Sequence, residues 1–180
     1  MEVIFDNKAN VLQAKIRAVH DKSVIYSVTT DQTVWSRTHT YVKDVNPTIG
    51  GETATTVGVI NWEAKTFEVN GQRKHLNAIR RKPTGFSGLR AKARYWKWGE
   101  GREEYAILHQ EEGWEATCTS TGEVEATFTV PYRPQLFGKV KPIVLNLTRT
   151  ALAKDEVFLI LVFIYCEVKR QEKMNSAGGW

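Results

Sequence analysis

Between Gly71 and Gly99 the chain carries nine basic residues and no Asp or Glu: Arg73, Lys74, Arg80, Arg81, Lys82, Arg90, Lys92, Arg94 and Lys97. The rest of the sequence holds 16 Lys/Arg against 20 Asp/Glu, so the chain's whole formal excess of +5 originates in this 29-residue segment. A field of one sign favours anionic partners, although a charged run is more commonly a solvated face with no partner. Within the segment, Lys82-Pro83-Thr84-Gly85-Phe86-Ser87-Gly88-Leu89-Arg90 presents Phe86 and Leu89 between glycines, with cations on both sides. Apolar tips flanked by Lys/Arg suit an anionic membrane surface, where each cation adds about 1 kcal/mol. The nine cations are therefore the candidate anion ligands and Phe86 the candidate membrane-inserting residue; the plainer reading of Phe86 is a plug at one end of the fold.

Other chemistries find less support. Tyr95, Trp96 and Trp98 interleave with Arg94 and Lys97, as in a surface that stacks bases and tracks phosphates, and Gly85-Phe86-Ser87-Gly88 mimics a KH-type loop. A KH loop needs helices on both sides, however, and residues from 93 onward read as a strand. In a strand Tyr95 and Lys97 share one face while Trp96 and Trp98 share the other, so nucleic acid is disfavoured as a partner. His20, His39, His75 and His109 lack metal-ligand spacing, and Cys118 has no nucleophile signature around it. The carboxylates Glu103-Glu104 and Glu111-Glu112 flank turns and would matter to glycoside chemistry only across a cleft. No catalytic residue, metal or cofactor is expected. Trp35, Trp62, Trp98 and Trp114 could stack on sugars, but packing a barrel wall is the more common use of tryptophan in a β protein.

The elements that must position these residues read as strands over most of the chain. Leu12, Ala14, Ile16 and Ala18 alternate with polar residues at period two, and Val24, Tyr26 and Val28 repeat the pattern. Residues 32–43 read as one long strand rich in Thr, Val, Trp and Tyr. Strands are expected at 57–62, 66–69, 72–76, 93–98, 104–110, 114–120, 123–130 and 143–147. Asn70-Gly71 supplies the two positive-φ residues of a type I′ hairpin turn.

A helix is expected over 154–172, with Asp155 and Glu156 in its first turn and Lys169 and Arg170 in its last, as the helix dipole favours. Its run 157–166 has no polar face, which marks a helix buried on all sides; ten apolar residues are too few to span a bilayer, which takes about 20. Ten to twelve strands and one all-apolar helix have a joint solution: a closed antiparallel barrel with the helix in its lumen, which leaves no sheet edge exposed. That gives one mainly β domain over 1–173 and a flexible tail over 174–180. MEVIFDNKAN has no basic region followed by an apolar run, so no signal peptide is expected. The two cysteines, Cys118 and Cys166, read as reduced.

This architecture resembles the tubby-like C-terminal domain shared with phospholipid scramblases and plant LURP-one-related proteins, in which a β-barrel encloses a hydrophobic C-terminal helix. The order of motifs resembles more closely an uncharacterised family of small fungal, mostly basidiomycete, proteins. The residues that carry the likeness are Val59-Ile60-Asn61-Trp62, Val69-Asn70-Gly71, Arg80-Arg81-Lys82, Arg94-Tyr95-Trp96-Lys97-Trp98 and the closing block from Lys141-Pro142-Ile143 to Val168-Lys169-Arg170, over roughly residues 10 to 172. These motifs are structural and carry over no catalytic residue. Tubby relatives bind phosphoinositides through a basic surface, and the resemblance implies the same class of ligand without assigning residues.

The expected function is a non-enzymatic, cytoplasmic binding module, peripheral at membranes, for phosphoinositide or other acidic phospholipid headgroups. A lectin-like or other small-ligand protein and a protein–protein interaction domain are the alternatives. Nothing in the sequence sets the oligomeric state.

Overall fold

The structure, a computed structural model, describes residues 1–34, 36–46, 54–83, 93–131 and 141–177. Among these described residues thirteen strands form one antiparallel sheet: β1 (Glu2–Phe5), β2 (Ala14–Ala18), β3 (Val24–Gln32), β4 (Arg37–Asp44), β5 (Thr55–Asn61), β6 (Thr66–Val69), β7 (Gln72–His75), β8 (Arg80–Arg81), β9 (Arg94–Lys97), β10 (Glu104–Gln110), β11 (Gly113–Cys118), β12 (Val124–Thr129) and β13 (Ile143–Leu147). A single-turn helix α1 (Leu76–Ile79) and the long C-terminal helix α2 (Arg149–Ala177) complete the fold. The spatial order is β7-β6-β5-β4-β3-β2-β1-β13-β12-β11-β10-β9-β8, so consecutive strands pair everywhere except between β7 and β8, and β1 joins β13.

Period-two patterning places the core. Ala14, Ile16 and Ala18 of β2 are buried, as are Tyr105 and Ile107 of β10 and Ile143, Leu145 and Leu147 of β13, while their alternates are more exposed. The sheet curls around α2, in which Phe158, Leu159, Ile160, Leu161, Val162, Phe163 and Ile164 are all at most 1% exposed. A helix so enclosed must be apolar all round, which is what residues 157–166 are. Phe163 stacks on Phe128 of β12, and Phe158 packs on Trp98. Gly58 of β5 lets the strand approach closely: a Cβ there would lie 2.9 Å from Cγ1 of Val157.

Several expectations change. The barrel is not closed by backbone hydrogen bonds; β7 and β8 are two separate edges. Yet they are consecutive in the chain, joined only by α1, so one helical turn spans the seam. Side chains sew it: Phe67 of β6 stacks on Trp96 of β9 at 5.8 Å, and Nζ of Lys74 donates to the Trp98 carbonyl at 2.7 Å while lying 5.1 Å from the Trp98 ring.

The expected long strand over 32–43 is a hairpin instead. Thr33 and Ser36 close its turn, Thr33 N–H to Ser36 O at 2.8 Å and Ser36 N–H to Thr33 Oγ1 at 3.0 Å, without any Gly or Pro to announce it. The strand expected over 72–76 stops at His75, whose side chain accepts from the Asn77 N–H and caps α1. Helix α2 starts earlier than expected, bends at Asp155 (φ −130°, ψ 19°), and runs to Ala177 where a flexible tail was expected. The Asn70-Gly71 turn is as anticipated, with φ of 48° and 79°.

Candidate anion-binding site

The described cations of the basic segment sit on the strands that flank the seam or, for Lys82, just past one of them, yet the sheet sorts them by face and by height. On β7, Arg73 faces outward and binds Oε2 of Glu68 through Nε at 3.1 Å and Nη2 at 2.9 Å. Lys74, on the inner face opposite Phe67, is engaged with Trp98 as described. On β8, Arg81 faces outward, makes a two-pronged bond to Glu104 at 2.8 and 2.6 Å, and covers the Tyr95 ring at 4.2 Å. Arg81 is thereby held above the ordinary guanidinium range, chiefly by the Glu104 hydrogen bond. Lys97 of β9 is exposed, and its charge helps hold Glu103 below the ordinary carboxylate range, after the Ser120 and Cys118 hydrogen bonds and with Lys154. Lys82, just past β8, is exposed and has no ion pair among the described residues.

The segment has no acid of its own, but the neighbouring strands supply three: Glu68 from β6, Glu104 from β10 and Glu103 beside it. The one-sign field of the sequence is therefore partly neutralised in three dimensions, and what remains available is local.

Among the described residues, part of that remainder lies where α2 leaves the sheet. Antiparallel order makes the connections after β1, β3, β5, β8, β10 and β12 open at one end, the exit end, where Lys169 meets Trp62 and Glu167 meets Trp114. There, Arg80 points inward, its Nη1 3.4 Å from the Tyr165 hydroxyl and its guanidinium over the Trp96 and Tyr165 rings at 5.7 and 5.9 Å. Arg80 has no carboxylate partner among the described residues, and the buried Nε1 of Trp96 has no hydrogen-bond partner either. Arg94 lies on the same inner face as Trp96, two residues before it, and donates to the Ala93 carbonyl at 2.9 Å. Burial pushes the Cys166 thiol up to about 12, and the charges of Arg80 and Arg94 oppose that shift. Donors thus converge here from Arg80, Arg94, Trp96 and Tyr165. Lys97 lies toward the opposite, entry end, near Glu103 and Lys154, and is not part of this convergence. Arg90, Lys92 and Phe86 lie outside the described residues.

A profile of one protein family matches residues 9–172. The chain belongs to DUF6593, a family of unknown function. The DUF6593 match runs from just before β2 to the last turns of α2, so the seam, the buried helix and the exit end all fall inside it. No curated protein and no solved structure matches the chain.

Two further groups of candidates can be placed. Trp62 is stacked on Tyr165 at 5.5 Å and bonded to Thr40. Trp98 packs on Phe158, and Trp114 donates to Glu167 at 2.9 Å and meets His109 edge-on. Each of these rings is used inside the protein, which disfavours a sugar-stacking platform; Trp35 lies outside the described residues. Among the described residues no cluster of three or more His, Cys, Asp or Glu could hold a metal ion, and no helix is long and apolar enough to cross a membrane.

Sequence reasoning missed Tyr165, Arg37 and Glu172. Tyr165 sits inside the apolar run and reads as core; its polar end matters only because the run emerges there. Arg37 and Glu172 are 135 residues apart and meet at 2.5 Å, which no local pattern announces.

Proposed function

We propose that this protein is a non-enzymatic module that binds anionic surfaces, with phosphoinositide or other acidic phospholipid headgroups as its ligands, and that contact is made at the exit end. The observation that carries this reading is the set of donors gathered there without a matching acceptor: the inward Arg80, the exposed Lys82, and the buried Trp96 Nε1. A guanidinium half-withdrawn from water and not paired with a carboxylate suits a phosphate oxygen, which it can bind with two parallel N–H bonds. The resemblance to tubby-like domains, whose members bind phosphoinositides through a basic surface, supports the same ligand class. We place the family among fungal tubby-like relatives on that resemblance, and the protein at the cytoplasmic face of membranes.

The test is co-sedimentation with phosphatidylcholine vesicles, with and without phosphoinositide, at low and physiological salt. Wild type should bind only the anionic vesicles and release as salt rises, because exposed charge interactions are screened over about 8 Å at 0.15 M. Arg80→Gln with Lys82→Gln should weaken binding about tenfold, as the loss of one or two charge-assisted bonds requires. Absence of binding at low salt, or binding indifferent to salt and to these substitutions, rejects the reading.

A further inference from the structure

Among the described residues three large apolar side chains are exposed: Met1 at 36%, Val124 at 44% and Val34 at 88%. Val34 stands apart both in degree and in place. It occupies the tip of the β3–β4 turn, at the exit end, in a turn pinned by the Thr33–Ser36 hydrogen bonds. An apolar side chain there, 88% exposed, gains little from packing.

Val34 itself lines a polar groove of about 460 Å³, together with Gln32, Arg37, Trp62, Lys169 and Glu172. Lys169 and Arg37 both bond Glu172, at 2.8 and 2.5 Å, so the groove is polar and held in shape rather than apolar. An exposed apolar side chain at the edge of a polar, cation-bearing groove suits a bilayer surface, where acyl chains lie next to headgroups.

We infer that Val34 is a membrane-inserting residue that seats the exit end on an anionic phospholipid bilayer, with the groove it lines at headgroup level. This rests on the anionic-surface reading and adds an element that charge alone does not supply. Lys82 and Lys173 provide attraction, and Val34 provides a penetrating contact that persists when salt screens the charges.

The experiment uses the full chain and vesicles of phosphatidylcholine with phosphatidylserine, some with brominated acyl chains. Val34→Asp should weaken binding about tenfold with unchanged thermal midpoint, since the side chain makes no packing contact to lose. Val34→Trp should tighten binding severalfold and gain quenching by brominated lipid over that of wild type. If wild type binds and Val34→Asp binds equally, or Val34→Trp gains no quenching, insertion at Val34 is overturned while the anionic-surface reading stands. If wild type does not bind at all, both fall together.

Discussion

The two ends of the buried helix solve the same problem in opposite ways. At the entry end Asp155 is 3% exposed and accepts from the Tyr105 hydroxyl at 3.0 Å, with Arg102 at 3.3 Å. Burial dominates, and Asp155 is held above the ordinary carboxylate range against the Tyr105 and Arg102 contributions. Glu156 is raised in the same way, by burial against a Tyr26 hydrogen bond. At the exit end Glu167 is fully buried, yet Arg170 grips it at 2.9 and 2.7 Å, Gln171 at 2.9 Å and Trp114 at 2.9 Å. Burial again opposes ionisation most strongly of any single influence, but these donors together hold Glu167 below the ordinary range. Glu172 is likewise lowered, burial being outweighed by Lys169 and Arg37. Depth alone therefore does not set the charge of a carboxyl; the partner does. A phenol stabilises either form weakly, whereas a two-pronged guanidinium commits its carboxylate to the ion. At the exit end the donors thus outweigh burial, whereas at the entry end Tyr105 and Arg102 do not outweigh the burial of Asp155.

The largest expected effect comes from stripping the exit end of its partner. Arg170→Ala leaves Glu167 buried and without its guanidinium, which should cost about 3–5 kcal/mol in urea denaturation. Packing at the entry end comes next: Gly58→Val drives a side chain into Val157 and Leu161 and should cost about 1–3 kcal/mol.

The pH dependence distinguishes the ends by sign. The lowered Glu167 and Glu172 contribute stability that is present above the ordinary carboxylate pKa and is lost as pH falls through their lowered values. The raised Asp155 and Glu156 contribute stability that is present below the ordinary pKa and is lost as pH rises through their raised values. Urea midpoints across a pH series should show Glu167→Gln removing part of the acid-side loss and Asp155→Asn removing part of the loss on the other side. At neutral pH Asp155→Asn should raise the urea midpoint, because the amide carries no charge to bury. If Asp155→Asn destabilises as strongly as Glu167→Gln, the contrast between the ends is wrong. The smallest effect is chemical: with its thiol held up to about 12, Cys166 should resist iodoacetamide in the native state and react only on unfolding.

Much of this frame was readable in advance. The run 157–166 lacks a polar face, and only a helix enclosed by the rest of the protein tolerates that; Asn70-Gly71 can hardly be anything but a tight turn. The β3–β4 turn was hidden because Thr33 and Ser36 make it with side-chain hydroxyls, leaving the Val and Thr content of a strand around it. The turn α1 was hidden because four residues are too few to show a period. Two properties of the basic segment also lay beyond any window of sequence. Its acids, Glu68, Glu103 and Glu104, stand just outside the segment and meet it across the sheet. Its division into inward and outward faces depends on register, which pairs Arg80 with Trp96 and Arg81 with Tyr95.

The measurement that bears most directly on the proposed function moves the same charge at either end. Lys82→Glu with Lys173→Glu alters the exit end; Lys97→Glu with Lys154→Glu alters the entry end by an equal amount, and all four lysines are exposed. Binding to phosphoinositide vesicles at low salt should fall at least tenfold for the exit pair and change little for the entry pair. Equal losses from both pairs would show attraction by net charge alone, and would contradict a binding end.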